Sequence, residues 1–297
     1  MNVAITGGTG FVGSHLSNRL AEESGISVTA ISRNPDETAV PIDESVEREY
    51  GDVTDASTLD FEGVDVVVHL VALSPLFKPK GTTHKKVHLN GTRNVVEAAE
   101  DAGVERIVQM SALGADSDGD TEYIRTKGEA EKVVRESELD YTMFRPSVVF
   151  GEGDEFIGFT KLLTTPVVTG LPGGGKSRFQ PIWVGDLADI MAQSVVDEDV
   201  EHTGKVYEIG GPQVLTLAKI SKMVYRAEGK SLKVLPVPMF MAKIGLTLAD
   251  PLPFVPMGAD QYRSLKIDNV VNSNDVGVFG YDEDDLKTLG EYLGLEE

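Results

Sequence analysis

The opening run MNVAITGGTGFVGSHL sets glycines where a phosphate could be held. Gly7, Gly10 and Gly13 stand at a G-x-x-G-x-x-G spacing, between a short apolar run ending at Thr6 and an amphipathic stretch opening at Phe11. The turn demands dihedrals closed to most residues, the backbone must reach a pyrophosphate, and the following helix must lie close to the sheet. Phosphates would then rest on the orphan N–H groups of Phe11, Val12 and Gly13 in the first helical turn. The spacing predicts a dinucleotide site.

Which dinucleotide is read about 20 residues further on, at the end of the second strand. An acidic residue there would bind a ribose 2′-hydroxyl, but this chain has Ser32, Arg33 and Asn34. A hydroxyl and a guanidinium suit a 2′-phosphate, and no carboxylate repels it. NADP(H) is therefore expected, with NAD(H) as the alternative; a surface arginine following its strand into solvent is the plainer reading of Arg33. Within Gly51-Asp52-Val53, Asp52 is placed to meet the adenine amine, unless it is an ordinary turn aspartate.

Two other patterns invite chemistry and fail on context. Gly170–Ser177, GLPGGGKS, matches the phosphate-loop pattern letter for letter. That motif needs a helix after its lysine, whereas Arg178, Phe179, Gln180 and Pro181 predict an extended segment. The five histidines, His15, His69, His84, His88 and His202, show no zinc spacing with further ligands. No nucleophile elbow is present.

The elements that must position the glycine loop alternate. Buried strands are expected at 3–6, 27–32, 64–71, 106–111 and 141–144, and helices at 12–23, 83–102 and 121–138. This predicts an α/β fold, a doubly wound parallel sheet of the Rossmann type, with a smaller C-terminal lobe. Residues 1–150, joined by about 186–211, form the dinucleotide-binding domain; 151–185 and 212–297 form the substrate or partner lobe. A helix near Asp186, a strand at 206–209 and a final helix at 284–295 complete the reading. Met239, Phe240 and Met241 with 242–248 make either an apolar docking face or core.

Composition narrows the classes. The 297 residues carry 48 acidic against 27 basic side chains, a formal charge of −21, and no cysteine. Disulfides and thiolate chemistry are excluded, and nucleic acid is not an expected ligand, since its phosphates would be repelled. The acids are dispersed, with no block that would mark a tail or spacer. Two readings follow, an ordinary acidic cytosolic protein or a surface suited to a high-salt cytoplasm, and the second is expected because self-repulsion of this size is best tolerated when screened. With no basic leader before Val3 and no unbroken apolar run long enough to span a bilayer, a cytoplasmic protein without a membrane span is expected.

Taken together, TGGTGFVG, GDVTD, DVVVHLVA, NGTRNVVEAA, YIRTK and RPSVVFG, in that order, resemble the extended short-chain dehydrogenase/reductase superfamily. SALGA and YIRTKGEAE are similar to its atypical group, which includes the NADPH-holding accessory subunit of respiratory complex I and nucleoside-diphosphate-sugar epimerase-like proteins. The resemblance implies that Tyr123 is a general acid/base and that Lys127, one turn on, holds the ribose and lowers the phenol's pKa. Moving a phenol from about 10 to about 7 takes roughly 4 kcal/mol, which one cation about 4 Å away could supply at an effective dielectric of about 20. Tyr262 and Lys266 repeat the spacing and are expected to be structural. Ser111 is the candidate for the superfamily's catalytic hydroxyl, although Leu113 stands nearer the usual position, and the usual asparagine falls near His88 or Asn90. The resemblance also sets Val53, Leu70, Val71, Ala72, Arg145 and Pro146 along the cofactor. It implies either an oxidoreductase or epimerase acting on a small molecule, or a subunit that holds NADPH without turnover. A protein partner or homo-oligomer is compatible with both.

Overall fold

The structure, a computed structural model, describes residues 1–74, 81–197, 201–238 and 267–295. Met239, Phe240, Met241, residues 242–248, Tyr262 and Lys266 lie outside the described residues. The described chain falls into two compact units, one drawn from 1–73, 81–146 and 184–208, the other from 74, 147–183 and 209–295. Its strands are β1 (Asn2–Thr6), β2 (Ser27–Ser32), β3 (Glu47–Tyr50), β4 (Val66–His69), β5 (Arg106–Met110), β6 (Asp140–Pro146), β7 (Val149–Phe150), β8 (Val167–Pro172), β9 (Arg178–Phe179), β10 (Ile182–Trp183), β11 (Lys205–Ile209), β12 (Leu215–Thr216) and β13 (Leu232–Val237). The helices are α1 (Phe11–Ala21), α2 (Gly91–Asp101), α3 (Glu122–Arg135), α4 (Phe156–Leu163), α5 (Val184–Val196) and α6 (Leu217–Ala227).

The first unit is an α/β domain around a seven-stranded sheet of order β11-β6-β5-β4-β1-β2-β3. Each neighbouring pair from β6 through β3 is parallel. Strands β1 and β4 are continuous apolar runs because helices cover both of their faces, and Ile5, Val67 and Val68 have no exposure. Register brings the site together. Thr6 lies level with Ile31 on one side and His69 on the other, and His69 is level with Gln109. The chain leaves β1 toward β2 and returns at β4, so β1 and β4 flank the reversal of strand order where such folds bind ligands. Helix α1 is tied to α5 through Arg19, whose Nε donates to Asp189 at 2.6 Å.

In the second unit β7 pairs with β10, β8 with β13 and β9 with β12. Phe150, Leu215, Ile220, Val224 and Leu289 form its core. Arg178–Phe179 is a strand, so the phosphate-loop look-alike runs into extended chain, as its sequence context predicts.

Three elements depart from expectation. The helix expected over 83–102 opens as a wide π-type turn, Lys85–Asn90, in which the Gly91 N–H reaches back five residues to the Lys86 carbonyl while the Thr92 hydroxyl donates to the His88 carbonyl. Strand β3 had no apolar signal; its four residues are all exposed at the sheet edge. The helix expected over 284–295 is a single turn, Leu289–Tyr292, restarted by a Thr288/Glu291 capping box and closed by Gly294 at φ +67°. Among the described residues no helix is long and apolar enough to cross a membrane.

Candidate functional site

The glycine turn is built as a cradle. Gly7 sits at φ +80° and donates its N–H to Ile31 at 2.8 Å, and Gly10 donates to the Gly7 carbonyl at 3.0 Å. A Cβ on Gly13 would come within 2.0 Å of that carbonyl oxygen, so the α1 backbone approaches closer than any side chain allows. Gly8, which the spacing argument passed over, is equally constrained: its Cβ would lie 2.7 Å from Ala30. Helix α1 begins with no side-chain cap and no acidic residue in its first turn. Its first amides are left for a ligand, and an anion is what they suit.

Around this cradle the strand ends supply the remaining candidates. The Ser32 hydroxyl at the end of β2 is buried with no hydrogen-bond partner among the described residues. Arg33 follows it, exposed and in no ion pair among the described residues. Asp52 does not simply face outward, because its Oδ1 accepts the Thr54 N–H at 2.8 Å. Val53 is buried and its carbonyl accepts from the Asn94 amide at 2.8 Å. Leu70 donates its N–H to Thr6 at 3.0 Å. Val71 approaches within 3.2 Å of where a Gly7 Cβ would stand, and Ala72 is exposed beyond it. The cradle, the uncapped helix and the orphan Ser32 hydroxyl fit a dinucleotide.

The second cluster centres on α3. Thr121 caps the helix, accepting the Ile124 N–H at 3.2 Å, which sets Tyr123 in the first turn and Lys127 one turn on. The Tyr123 ring meets His84 and His88 edge-on, at centroid distances of 5.6 and 5.3 Å. Burial pushes its phenol up to about 12, the direction opposite to the one expected from a lysine neighbour. Lys127, only 3% exposed, donates from Nζ to the Met110 carbonyl at 3.0 Å. Burial lowers its pKa to about 8, with Glu131 acting the other way.

Sequence reasoning weighed the histidines as metal ligands, and His88 also as lying near the superfamily's usual asparagine, and so missed their part here. His88 Nε2 accepts the Leu73 N–H at 2.9 Å, which leaves the proton on Nδ1, 2.9 Å from the Thr126 hydroxyl. The Thr92 hydroxyl donates to the His88 carbonyl at 2.6 Å, so it accepts from His69 Nε2 at 3.1 Å. His69 Nδ1 therefore accepts from Thr6 at 2.7 Å. Burial first, then the Lys127 charge, holds His69 at about 3 and His88 at about 2, so both rings are neutral.

One turn beyond Lys127 lies Glu131, 2% exposed. Arg145 grips it with two bonds, Nε to Oε1 at 2.7 Å and Nη2 to Oε2 at 2.6 Å, and Arg135 adds a third at 3.2 Å. Burial, the largest single influence, raises this carboxyl, but the hydrogen bonds and charge of Arg145 together with Arg135 and the nearby Ser111 hydroxyl outweigh it, and the pKa is lowered. The Arg145 side chain is thus committed to α3, while the Pro146 carbonyl accepts the Leu113 N–H at 3.4 Å. Ser111 lies toward Glu131, near enough to help keep it ionised yet outside hydrogen-bond geometry. Its hydroxyl is buried and has no hydrogen-bond partner among the described residues.

A doubly wound sheet whose first strand opens through a glycine cradle onto an uncapped helix defines an NAD(P)-binding domain of the Rossmann class. The chain belongs to the NAD(P)H-binding family, which matches residues 7–170. It is 29% identical over 187 residues to NADH dehydrogenase [ubiquinone] 1 alpha subcomplex subunit 9, mitochondrial, of Arabidopsis thaliana, covering 60% of this chain and 46% of that protein. It is 26% identical over 274 residues to UDP-glucose 4-epimerase of Vibrio cholerae, covering 82% and 80%. The chain spans about half the length of the NADH dehydrogenase relatives it matches. A solved NADPH-dependent quinone oxidoreductase of Escherichia coli, in complex with NADPH, shares the fold with a TM-score of 0.74 at 20% identity over 98% of both chains. These relatives bear out the resemblance to the extended short-chain dehydrogenase/reductase superfamily.

Proposed function

We propose that this chain is an NADP(H)-dependent oxidoreductase whose Tyr123 gives a proton to a carbonyl oxygen of a small-molecule substrate. The observation that carries the cofactor choice is the pairing of an orphan Ser32 hydroxyl with the unengaged Arg33 at the end of β2. Thr6, Gly7, Gly10, Phe11, Val12 and Gly13 would hold the pyrophosphate. Ser32 and Arg33 would take the 2′-phosphate, Asp52 and Val53 the adenine. Leu70, Val71, Ala72 and the Arg145-Pro146 backbone would border the remainder. Bound NADPH supplies a hydride. Tyr123, its phenol held protonated at neutral pH by burial, is suited to act as an acid rather than a base, which favours the reductive direction. Lys127, one turn on, would hold the ribose hydroxyls, and Ser111 would be the assisting hydroxyl. The setting would be cytoplasmic.

A second reading has a specific observation behind it. No charge lowers the Tyr123 phenol, and buried Leu113 stands where the superfamily usually has a hydroxyl. With relatives named as NADH dehydrogenase subunits, a subunit that holds NADPH for stability, docked on a protein partner, is the rival. Ligand at about 100 times its dissociation constant adds about 2.7 kcal/mol, enough for such a role. Tyr123→Phe decides between them. In the enzyme reading it abolishes NADPH oxidation across a carbonyl and quinone panel, yet leaves the several-degree thermal stabilisation by NADPH intact. If the wild type turns over no substrate and its NADPH does not exchange, the enzyme reading is lost.

A further inference from the structure

Arg106, Lys127 and Glu131 are the charged side chains buried among the described residues, and two of them sit one turn apart on α3. Tyr123, Lys127, Glu131 and Arg135 follow one another at four-residue steps and so form a single stripe down that helix. Glu131 makes no direct ion pair with Lys127. Its oxygens are taken by Arg145 and Arg135, while the Lys127 ammonium rests on the Met110 carbonyl.

We propose that Glu131 is the positioning residue of the Tyr123/Lys127 pair, its buried carboxylate keeping Lys127 an ammonium while Arg145 meters how much of that negative charge Lys127 feels. This rests on the reading of Tyr123 and Lys127 as the working pair, and it deepens it.

The physical argument begins with burial. An ammonium in the core loses hydration and tends to shed its proton. The groups facing Lys127 are Tyr123 and Glu131 from α3, His69 from β4, and His88, with His84 beside it, from the π-type turn. His69 and His88 are neutral and Tyr123 is protonated, so none of these offers a counter-charge. Glu131 is the carboxylate left to supply one. Arg145, from β6, works against it: each bond it makes to Glu131 sets a positive charge beside the negative one. The sequence places Arg145 after a strand and next to a proline, where it reads as a cofactor-border residue. That reading concerns its backbone; its guanidinium is turned to α3.

The proposal predicts shifts of opposite sign from the two sides of one ion pair. The test uses the full chain without cofactor, labelled at lysine with 13C and 15N, with the Lys127 side-chain resonance assigned through Lys127→Arg. Glu131→Gln should move the Lys127 titration midpoint down by about one pH unit or more. Arg145→Gln should move it up, because the carboxylate is then uncompensated. Both variants break the same contact and both lower thermal stability, so a purely structural pair predicts no shift or shifts of one sign. Either result overturns the proposal. Glu131→Asp, which keeps the charge, should restore most of the midpoint. If Glu131→Gln or Arg145→Gln fails to fold, Arg135→Gln decides, since Arg135 touches the same carboxylate from a half-exposed position. Its loss must move the midpoint up, and no movement or a downward one refutes the assignment. The titration needs no turnover, so it stands or falls apart from the reaction assigned to Tyr123.

Discussion

His69 and His88 are held neutral in the core, and mild acid should therefore destabilise this protein well before its carboxylates titrate. Both rings are at most 2% exposed, with pKa values of about 3 and about 2 against about 6.5 in an unfolded chain. Below about pH 6.5 the unfolded chain binds a proton on each ring and the folded protein does not. The stability is intact above that pH and is lost as pH falls toward the folded values. Each ring costs about 1.4 kcal/mol per pH unit, so the two together remove about 4 kcal/mol between pH 7 and pH 5. That is a large share of the 5–15 kcal/mol typical of a folded domain. Glu131 and Asp268 have lowered pKa values, so their contributions are full above the ordinary carboxylate range and are lost only as pH falls through it, which leaves this window to the histidines. Urea unfolding at pH 7, 6 and 5, at fixed high salt, measures the slope. His88→Asn, whose amide can accept from Leu73 and donate to Thr126, should halve it. A wild-type loss under about 1 kcal/mol across the window, or an unchanged slope in His88→Asn, would refute the argument.

Arg33→Asp should weaken NADPH at least tenfold more than NADH by calorimetry, because it sets a carboxylate against the 2′-phosphate; equal losses would remove the NADP(H) assignment. Gly13→Ala should abolish thermal stabilisation by NADPH, since its methyl would stand 2.0 Å from the Gly7 oxygen. Retained stabilisation would mean the turn is not the pyrophosphate cradle.

The glycine turn and the sheet around it were legible because each is a local demand. A Cβ collides at Gly13 whatever the rest of the chain does, and an apolar run like that of β4 can only be a strand covered on both faces. Strand β3 was illegible because Glu47, Arg48, Glu49 and Tyr50 are exposed; its place is set by pairing with β2 alone. The surroundings of Tyr123 were hidden for a different reason. His84 and His88 precede it by more than thirty residues, and only the packing of the π-type turn against α3 makes them its neighbours. Nor does spacing reveal that Arg145 reaches across to Glu131, fourteen residues earlier. Four-residue spacing did show that Tyr123 and Lys127 share a face of α3, but the charge alternation along that helix reads Glu131 as solvated, whereas Lys127 and Glu131 are both buried.

A charge of −21 and a polyanionic ligand look incompatible, and where the charges lie resolves the conflict. Among the described residues Glu131 is the carboxylate in the core, and two arginines hold it there. The other described acids lie outside the buried core, where in about 0.1 M salt their fields fade over about 10 Å. The α1 amides instead act at hydrogen-bond distance, and no acidic residue stands in that first turn. Surface repulsion is therefore a cost borne by the fold, and screening relieves it. Ionic strength is then the lever that separates the two effects. If the surface is built for a high-salt cytoplasm, thermal stability should rise steeply from 0.1 M to 2 M potassium chloride, by ten degrees or more. NADH affinity, to which the exposed Arg33 lends no phosphate contact, should hold or tighten over the same range, whereas a site that captured its ligand through a basic patch would weaken. Full stability in dilute buffer would show that the acidic excess has no bearing on salt, and an affinity falling with salt would place the dinucleotide on exposed cations instead of the glycine turn.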